Sequence, residues 1–226
     1  MTRSVVGPVL SSDGPVVLVG GGPVTARDMT DAQAHARPVV AADGGADRAL
    51  ALGVRPDAVI GDMDSLSPQA RSALGDAVHP VAEQDSTDFE KCLTRIAAPL
   101  VLAVGFGGGR LDHALAVFNA LARHPATACV VLAAREVIVL APPRIALDLV
   151  AGTRVSLFPM APVTGQSRGL HWPIDGIGFA PDGVVGTSNR ADGPVDLALD
   201  APGMLLMLPR RCLGALLAGL AAAPRW

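Results

Sequence analysis

Residues 38–46 read PVVAADGGA, a short apolar run rich in Val and Ala that stops on Asp43 and two glycines. A continuous apolar run of this length, closed by turn residues, predicts a strand buried on both faces, as in a parallel sheet. The same pattern recurs outward in both directions, in VVLVG (16–20), DAVIG (57–61), LVLAVG (100–105) and ACVVLAA (128–134). Ala- and Leu-rich segments of helical rhythm lie between these runs, for example DHALAVFNALARH (112–124). Alternation of this kind predicts an α/β parallel sheet over about residues 15–140. APPR (141–144) breaks the rhythm. Beyond it RIALDLVAG and VDLALD alternate residue by residue, with PDG, ADG and APG as turns, which predicts a β-rich, sandwich-type second half. The tail RCLGALLAGLAAAPRW places Leu213, Leu216, Leu217 and Leu220 at helical spacing, a short helix-like tail.

Composition removes several function classes. The chain has 226 residues and a net charge of −3, with 3% aromatic residues and no Tyr. It therefore lacks the basic footprint and stacking platform of a nucleic-acid binder. No apolar run reaches the roughly 18 residues of a membrane span. The N-terminal MTRSVVGPVLSSDG has no apolar stretch of signal-peptide length, and Cys92, Cys129 and Cys212 form neither a CxxC pair nor a disulfide framework. These features predict a cytoplasmic protein.

The acids carry more information than their sum. Eighteen of the 21 are Asp, and several directly follow apolar runs. Asp43 follows 38–42, and Asp62 and Asp64 follow 57–61 in GDMDS. In an open parallel sheet the carboxyl ends of the strands form the ligand-binding edge. In an extended segment Asp62 and Asp64 would face one point while Met63 turns to the core. A single Asp after a strand is an ordinary cap, but three carboxylates at one edge repel unless a cation lies between them. All-oxygen ligation favours Mg²⁺.

QDSTDFEKCL (84–93) adds to this edge. Thr87 and Glu90 have capping-box spacing, which predicts a helix from Thr87 burying Phe89, Leu93 and Ile96, with Asp88 and Lys91 off that stripe. Lys91 is the one lysine beside 17 arginines. A surface pair would be served equally well by Arg, so the choice points to a confined place where a compact ammonium meets a phosphate. In GFGGGRLDHALAVFNAL (105–121) a strand runs through glycines into a helix start. There the backbone N–H groups of Gly108 and Gly109, with Arg110, suit phosphate oxygens. The loop is neither a P-loop nor GxGxxG. Together these features describe a phosphoryl- or diphosphoryl-transfer site.

ADGGA, GDMDS, QDSTDFEK and GGGRLDH, in this order, with GLHWP and TSN in the second half, resemble the thiamine pyrophosphokinase family over about residues 15–209. The resemblance implies a Rossmann-like parallel-sheet catalytic domain binding ATP and Mg²⁺ (1–143). An all-β sandwich-type thiamine-binding domain with the helix-like tail follows (144–226). It implies a homodimer that binds thiamine between opposing subunits and transfers the diphosphate of ATP to the thiamine hydroxyethyl group, releasing AMP. Asp43, Asp62, Asp64 and Asp88 match the acids that hold Mg²⁺ and ATP. Lys91 and Arg110 match phosphate-contacting positions, and Asp112 an active-site acid. Asp88 or Asp112 would orient or deprotonate the hydroxyl. Gln84, Trp172, Ser188 and Asn189 match the thiamine pocket, and an indole face suits a cationic thiazolium. Two alternatives stand beside this one: a diphosphokinase for another heterocycle such as a pterin, and a non-catalytic nucleotide or thiamine sensor.

Overall fold

The computed structural model describes residues 7–226. The first six, part of the N-terminal stretch read for a signal peptide, lie outside the described residues. Two compact units part between Val117 and Phe118.

The first unit contains β1 (Leu10–Ser11), β2 (Val16–Val19), α1 (Ala26–Gln33), β3 (Val39–Ala42), α2 (Gly45–Ala51), β4 (Ala58–Gly61) and α3 (Pro68–Leu74). It continues with β5 (Val78–Pro80), α4 (Asp88–Leu93), β6 (Ile96–Ala97) and β7 (Val101–Val104), and α5 (Leu111–Arg123) leads the chain out of it. Strands β7, β2, β3, β4 and β5 pair in that order, all parallel, while β1 and β6 form a separate parallel pair. Every residue of β2, β3, β4 and β7 is buried. That is why these strands read as unbroken apolar runs rather than alternating ones.

Register then aligns the edge that matters. Ala42 stands opposite Ile60, and the Asp43 N–H donates to the Ile60 carbonyl at 3.0 Å. The chain therefore leaves β3 and β4 side by side, at Asp43 and Asp62. Gly45 lets α2 start directly against the end of β2, since a Cβ there would lie 2.1 Å from the Val19 carbonyl oxygen.

The second unit holds β8 (Cys129–Leu132), β9 (Glu136–Leu140), β10 (Arg144–Leu147), β11 (Arg154–Pro159), β12 (Gly165–Leu170), β13 (Gly186–Leu199), β14 (Met204–Pro209) and α6 (Leu213–Ala222). Its strand pairs are antiparallel. The long strand β13 pairs with β11 through its first residues and with β10 and β12 through its later ones, shifting register at bulges. Strands that bend through bulges in this way turn corners between layers. Helix α6 rests on β10, where Gly219 comes so close that a Cβ would lie 2.7 Å from the Ala146 carbonyl oxygen. The Trp226 indole N–H ties the end of the chain to the Ala141 carbonyl at 2.9 Å.

The fold is therefore mixed α/β, parallel in the first unit and antiparallel in the second. The compact units part earlier than the change of rhythm at 143. The pairing of β8 with β9, and of β9 with β14, accounts for this by drawing residues 129–140 toward the later strands. Strands β1, β5 and β6 have two or three residues each, too few to carry a periodic signal. Among the described residues no helix is long and apolar enough to cross a membrane.

Candidate functional site

Asp43, Asp62 and Asp64 converge as expected, with one carboxylate oxygen from each lying within 4.8 Å of the others. The route to that convergence differs from the extended segment predicted. Met63 sits in the left-handed region at φ 68°, so the chain between the two acids is a turn. The Asp64 N–H donates back to Asp62 Oδ1 at 3.3 Å, as an Asx turn does. The Met63 side chain is buried among Ala41, Ala46, Val59, Leu66, Ala70 and Leu74. A left-handed non-glycine residue costs about 1–3 kcal/mol, and burying a Met side chain returns a similar amount. The apolar anchor thus offsets the strain that aims both acids at one place.

Asp43 also has positive φ, at 43°, a conformation that Asp tolerates better than most residues. Its side chain is 3% exposed. Oδ2 accepts the Ser65 N–H at 3.0 Å, while Oδ1 is buried with no hydrogen-bond partner. The Asp43 carboxyl is raised to about 6, chiefly by burial; the Ser65 N–H pulls it down, while the Asp64 side chain and the Asp64 and Asp88 charges push it up. A buried oxygen without a partner costs about 1–3 kcal/mol. A cation between the three carboxylates would remove that cost, so this donor set fits a hard divalent ion.

The helix carrying Lys91 begins at Asp88 with Thr87 as its N-cap, whose hydroxyl accepts the Glu90 N–H. It ends at Leu93, so Ile96 is buried in β6 rather than on the helix. Lys91 does not stand off at the surface. It is 1% exposed, and its Nζ lies 2.9 Å from Asp62 Oδ2 and 3.1 Å from Asp88 Oδ1. Burial pulls its pKa down, but the bonds to Asp62 and Asp88 outweigh this and hold it above the ordinary lysine value. The Lys91 hydrogen bond in turn holds Asp62 below the usual carboxylate range. Asp88 stands outside the three-acid group, yet a Cβ on Gly61 would lie 2.8 Å from the Asp43 Cβ and 3.1 Å from Asp88 Oδ1. Gln84 approaches the same cluster, its amide donating to Asp62 Oδ2 at 3.3 Å.

Asp43, Asp62, Gln84, Asp88 and Lys91 line a cleft of about 810 Å³ in the first unit. Its other wall is glycine-rich, with Gly105 and Gly109 at φ 80° and 85°. Gly22 meets this loop closely, its N–H donating to the Gly105 carbonyl at 3.2 Å, and a Cβ there would lie 2.5 Å from that oxygen. Gly108, Gly109 and Arg110 line the cleft. Asp112 is not part of its lining. It is exposed and forms a two-point ion pair with Arg110, at 3.1 and 2.5 Å, which holds its carboxyl at about 2. Sequence reasoning missed Arg48, which lines the cleft from α2 and donates from Nε to the Gly21 carbonyl at 3.3 Å. It also missed Asp47, which fixes the loop after Asp64 by accepting the N–H and hydroxyl of Ser67. Both stand beside Asp43 in the ADGGADR stretch, so the capping of neighbouring loops was the signal available.

In the second unit Trp172 is 57% exposed, too open to be a core anchor. His171 packs edge-on against it at 4.6 Å, and the Arg190 guanidinium lies 5.8 Å from the indole centroid. Asn189 is buried, and its amide is committed to the backbone. Oδ1 accepts the Trp172 N–H at 3.2 Å and the Arg190 N–H at 2.7 Å, while Nδ2 donates to the Trp172 carbonyl at 2.7 Å. Ser188 has φ 62°, and its N–H donates to Ser156 Oγ at 3.1 Å.

A carboxylate cage beside a buried ammonium and a glycine loop, on the carboxyl edge of a parallel sheet, is the arrangement by which α/β proteins can hold phosphates through a cation. Comparison with known proteins narrows that class. A family model described as thiamin pyrophosphokinase, catalytic domain, matches residues 29–132. Thiamine pyrophosphokinase 1 of Arabidopsis thaliana is 30% identical over 190 residues, covering 69% of this chain and 71% of that protein. The rice (Oryza sativa subsp. japonica) protein of the same name is 29% identical, covering 69% and 72%. Among solved structures, thiamin pyrophosphokinase from Candida albicans superposes with a TM-score of 0.74 at 15% identity, covering 92% of this chain and 94% of that one. The enzyme from Geobacillus thermodenitrificans gives 0.70 at 24% identity, covering 88% and 100%. The chain belongs to the thiamin pyrophosphokinase family.

Proposed function

We propose that the chain is an ATP-dependent thiamine diphosphokinase, transferring a diphosphate group to the hydroxyethyl oxygen of thiamine and giving thiamine diphosphate and AMP. Family membership supports this activity, and neither the pterin nor the sensor alternative is favoured by the relatives found. The observation that carries the chemistry is the convergence of Asp43, Asp62 and Asp64, one of which, Asp43, has a buried oxygen with no hydrogen-bond partner.

In this reading those three acids, with Asp88, hold Mg²⁺. When bound, the ion supplies charge neutralisation and a template for the triphosphate. Gly108, Gly109 and Arg110 receive phosphate oxygens, and Lys91 neutralises charge developing on the transferred group. Asp88 is better placed than Asp112 to orient or deprotonate the hydroxyl. Asp88 lines the cleft beside the acid cluster, whereas Asp112 does not line it. Trp172 offers an exposed indole face to thiamine, a contact worth about 0.5–2 kcal/mol for a cation. Asn189 and Ser188 shape that corner, and Gln84 lies on the acid side. A catalytic domain over 1–143 with a sandwich-type thiamine domain over 144–226, working as a cytoplasmic homodimer, completes the reading.

Incubation with thiamine, ATP and Mg²⁺, followed by nucleotide analysis, tests it. AMP and thiamine diphosphate are expected in equal amounts, and Trp172→Ala should raise KM for thiamine while leaving KM for ATP nearly unchanged. ADP with thiamine monophosphate would overturn the reaction assignment.

A further inference from the structure

We propose that Lys91 is a resident counter-ion that keeps the carboxylate cluster from taking up a divalent cation by itself, so that the ion enters together with the nucleotide's phosphates. The inference deepens the diphosphokinase reading and rests on it for the identity of the nucleotide.

Asp62 contributes an oxygen both to the three-acid group and to the ammonium, which lies 2.9 Å from its Oδ2. Asp88, the fourth acid, is engaged by the same Nζ at 3.1 Å. The positive charge a free metal ion would bring is therefore partly in place already, in a side chain only 1% exposed and poorly screened by water. An incoming divalent ion meets the carboxylates of Asp43, Asp62 and Asp64 but also a fixed cation, the ammonium that already holds Asp62. Over a few ångströms one unit charge shifts divalent-ion affinity by roughly 10- to 100-fold. A polyphosphate changes this balance by bringing negative charge for both cations. Two of the three ammonium donors are committed to Asp62 and Asp88, leaving one for a phosphate oxygen. A guanidinium is larger and planar, whereas Lys91 brings a compact point charge to this enclosed place between two acids. That accounts for a lysine here in a chain that otherwise uses arginine.

The test is Mn²⁺ uptake by the nucleotide-free protein, measured by calorimetry and electron paramagnetic resonance. Wild type should bind the ion weakly, and Lys91→Met and Lys91→Gln should bind it at least about tenfold tighter. Adding Asp43→Asn to Lys91→Met should abolish the gain, locating the ion at the cluster. If the Lys91 variants unfold in chelator, refolding with millimolar Mn²⁺ supports the proposal by linkage, and failure to refold contradicts it. The proposal is also overturned if wild type takes up Mn²⁺ alone as tightly as the variants, or if the gain survives Asp43→Asn. Failure of the reaction itself is seen separately: absence of AMP and thiamine diphosphate from wild type with both substrates removes the diphosphokinase reading while leaving the Mn²⁺ result standing.

Discussion

Asp43 concentrates the physical tension of the site in one side chain. It is buried, held in the left-handed region, and has one oxygen with no partner. Its folded pKa, pushed by burial to about 6 from an ordinary 3.8, sets a pH dependence whose sign follows directly. The folded state holds the proton more tightly than the unfolded state. The stabilising contribution is therefore complete below about pH 4 and is lost as pH rises through about 6. Above that range the ionised, metal-free form carries a penalty of about 3 kcal/mol. Asp43→Asn keeps a residue suited to positive φ and removes the charge. In chelator, its melting temperature relative to wild type should rise as the pH goes from 4 to 7, while turnover falls at least a hundredfold. A difference between the two proteins that stays flat over that pH range would show that burial does not govern Asp43.

At the scale of elements, the ends of β3 and β4 do the positioning, and Gly61 is where they leave no spare room. Gly61→Ala would bring a Cβ to 2.8 Å from the Asp43 Cβ and 3.1 Å from Asp88 Oδ1. The backbone must then shift, at about 1–3 kcal/mol. Thermal denaturation should show that loss, and Mn²⁺ affinity in the presence of ATP should fall with it; an unchanged affinity would mean the cluster tolerates displacement. Much of this element was legible in the sequence, because strands buried on both faces read as unbroken apolar runs and their ends are marked by Asp43 and Asp62. The turn at Met63 was not legible. Alternating acids fit an extended strand equally well, and the left-handed residue is selected by an apolar pocket of Leu66, Ala70 and Leu74 that comes together only on folding. The burial of Lys91 was hidden for a similar reason. Helical spacing sets it apart from the Phe89 and Leu93 stripe, but Asp62, 29 residues earlier, decides what covers it.

For the whole molecule, two units with different sheet types present two kinds of surface chemistry. The parallel unit supplies charge and glycine loops at strand ends. The antiparallel unit presents an indole fixed from behind by the Asn189 amide. The Asn189 arrangement was readable only as a motif position, since TSN by itself is an ordinary turn sequence, and its actual partner is the peptide backbone 17 residues away. The boundary at 143 follows the rhythm of the chain and the roles given to either side follow the family resemblance, whereas compactness parts the chain between Val117 and Phe118. That difference leaves the acids in the first unit and the indole in the second. The measurement that bears most directly on the whole account is anomalous diffraction from crystals grown with Mn²⁺ and a non-hydrolysable ATP analogue. A single strong peak in contact with carboxylate oxygens of Asp43, Asp62 and Asp64, and with the analogue's phosphates, is the expected result. A well-ordered analogue whose Mn²⁺ lies away from all three acids would contradict it.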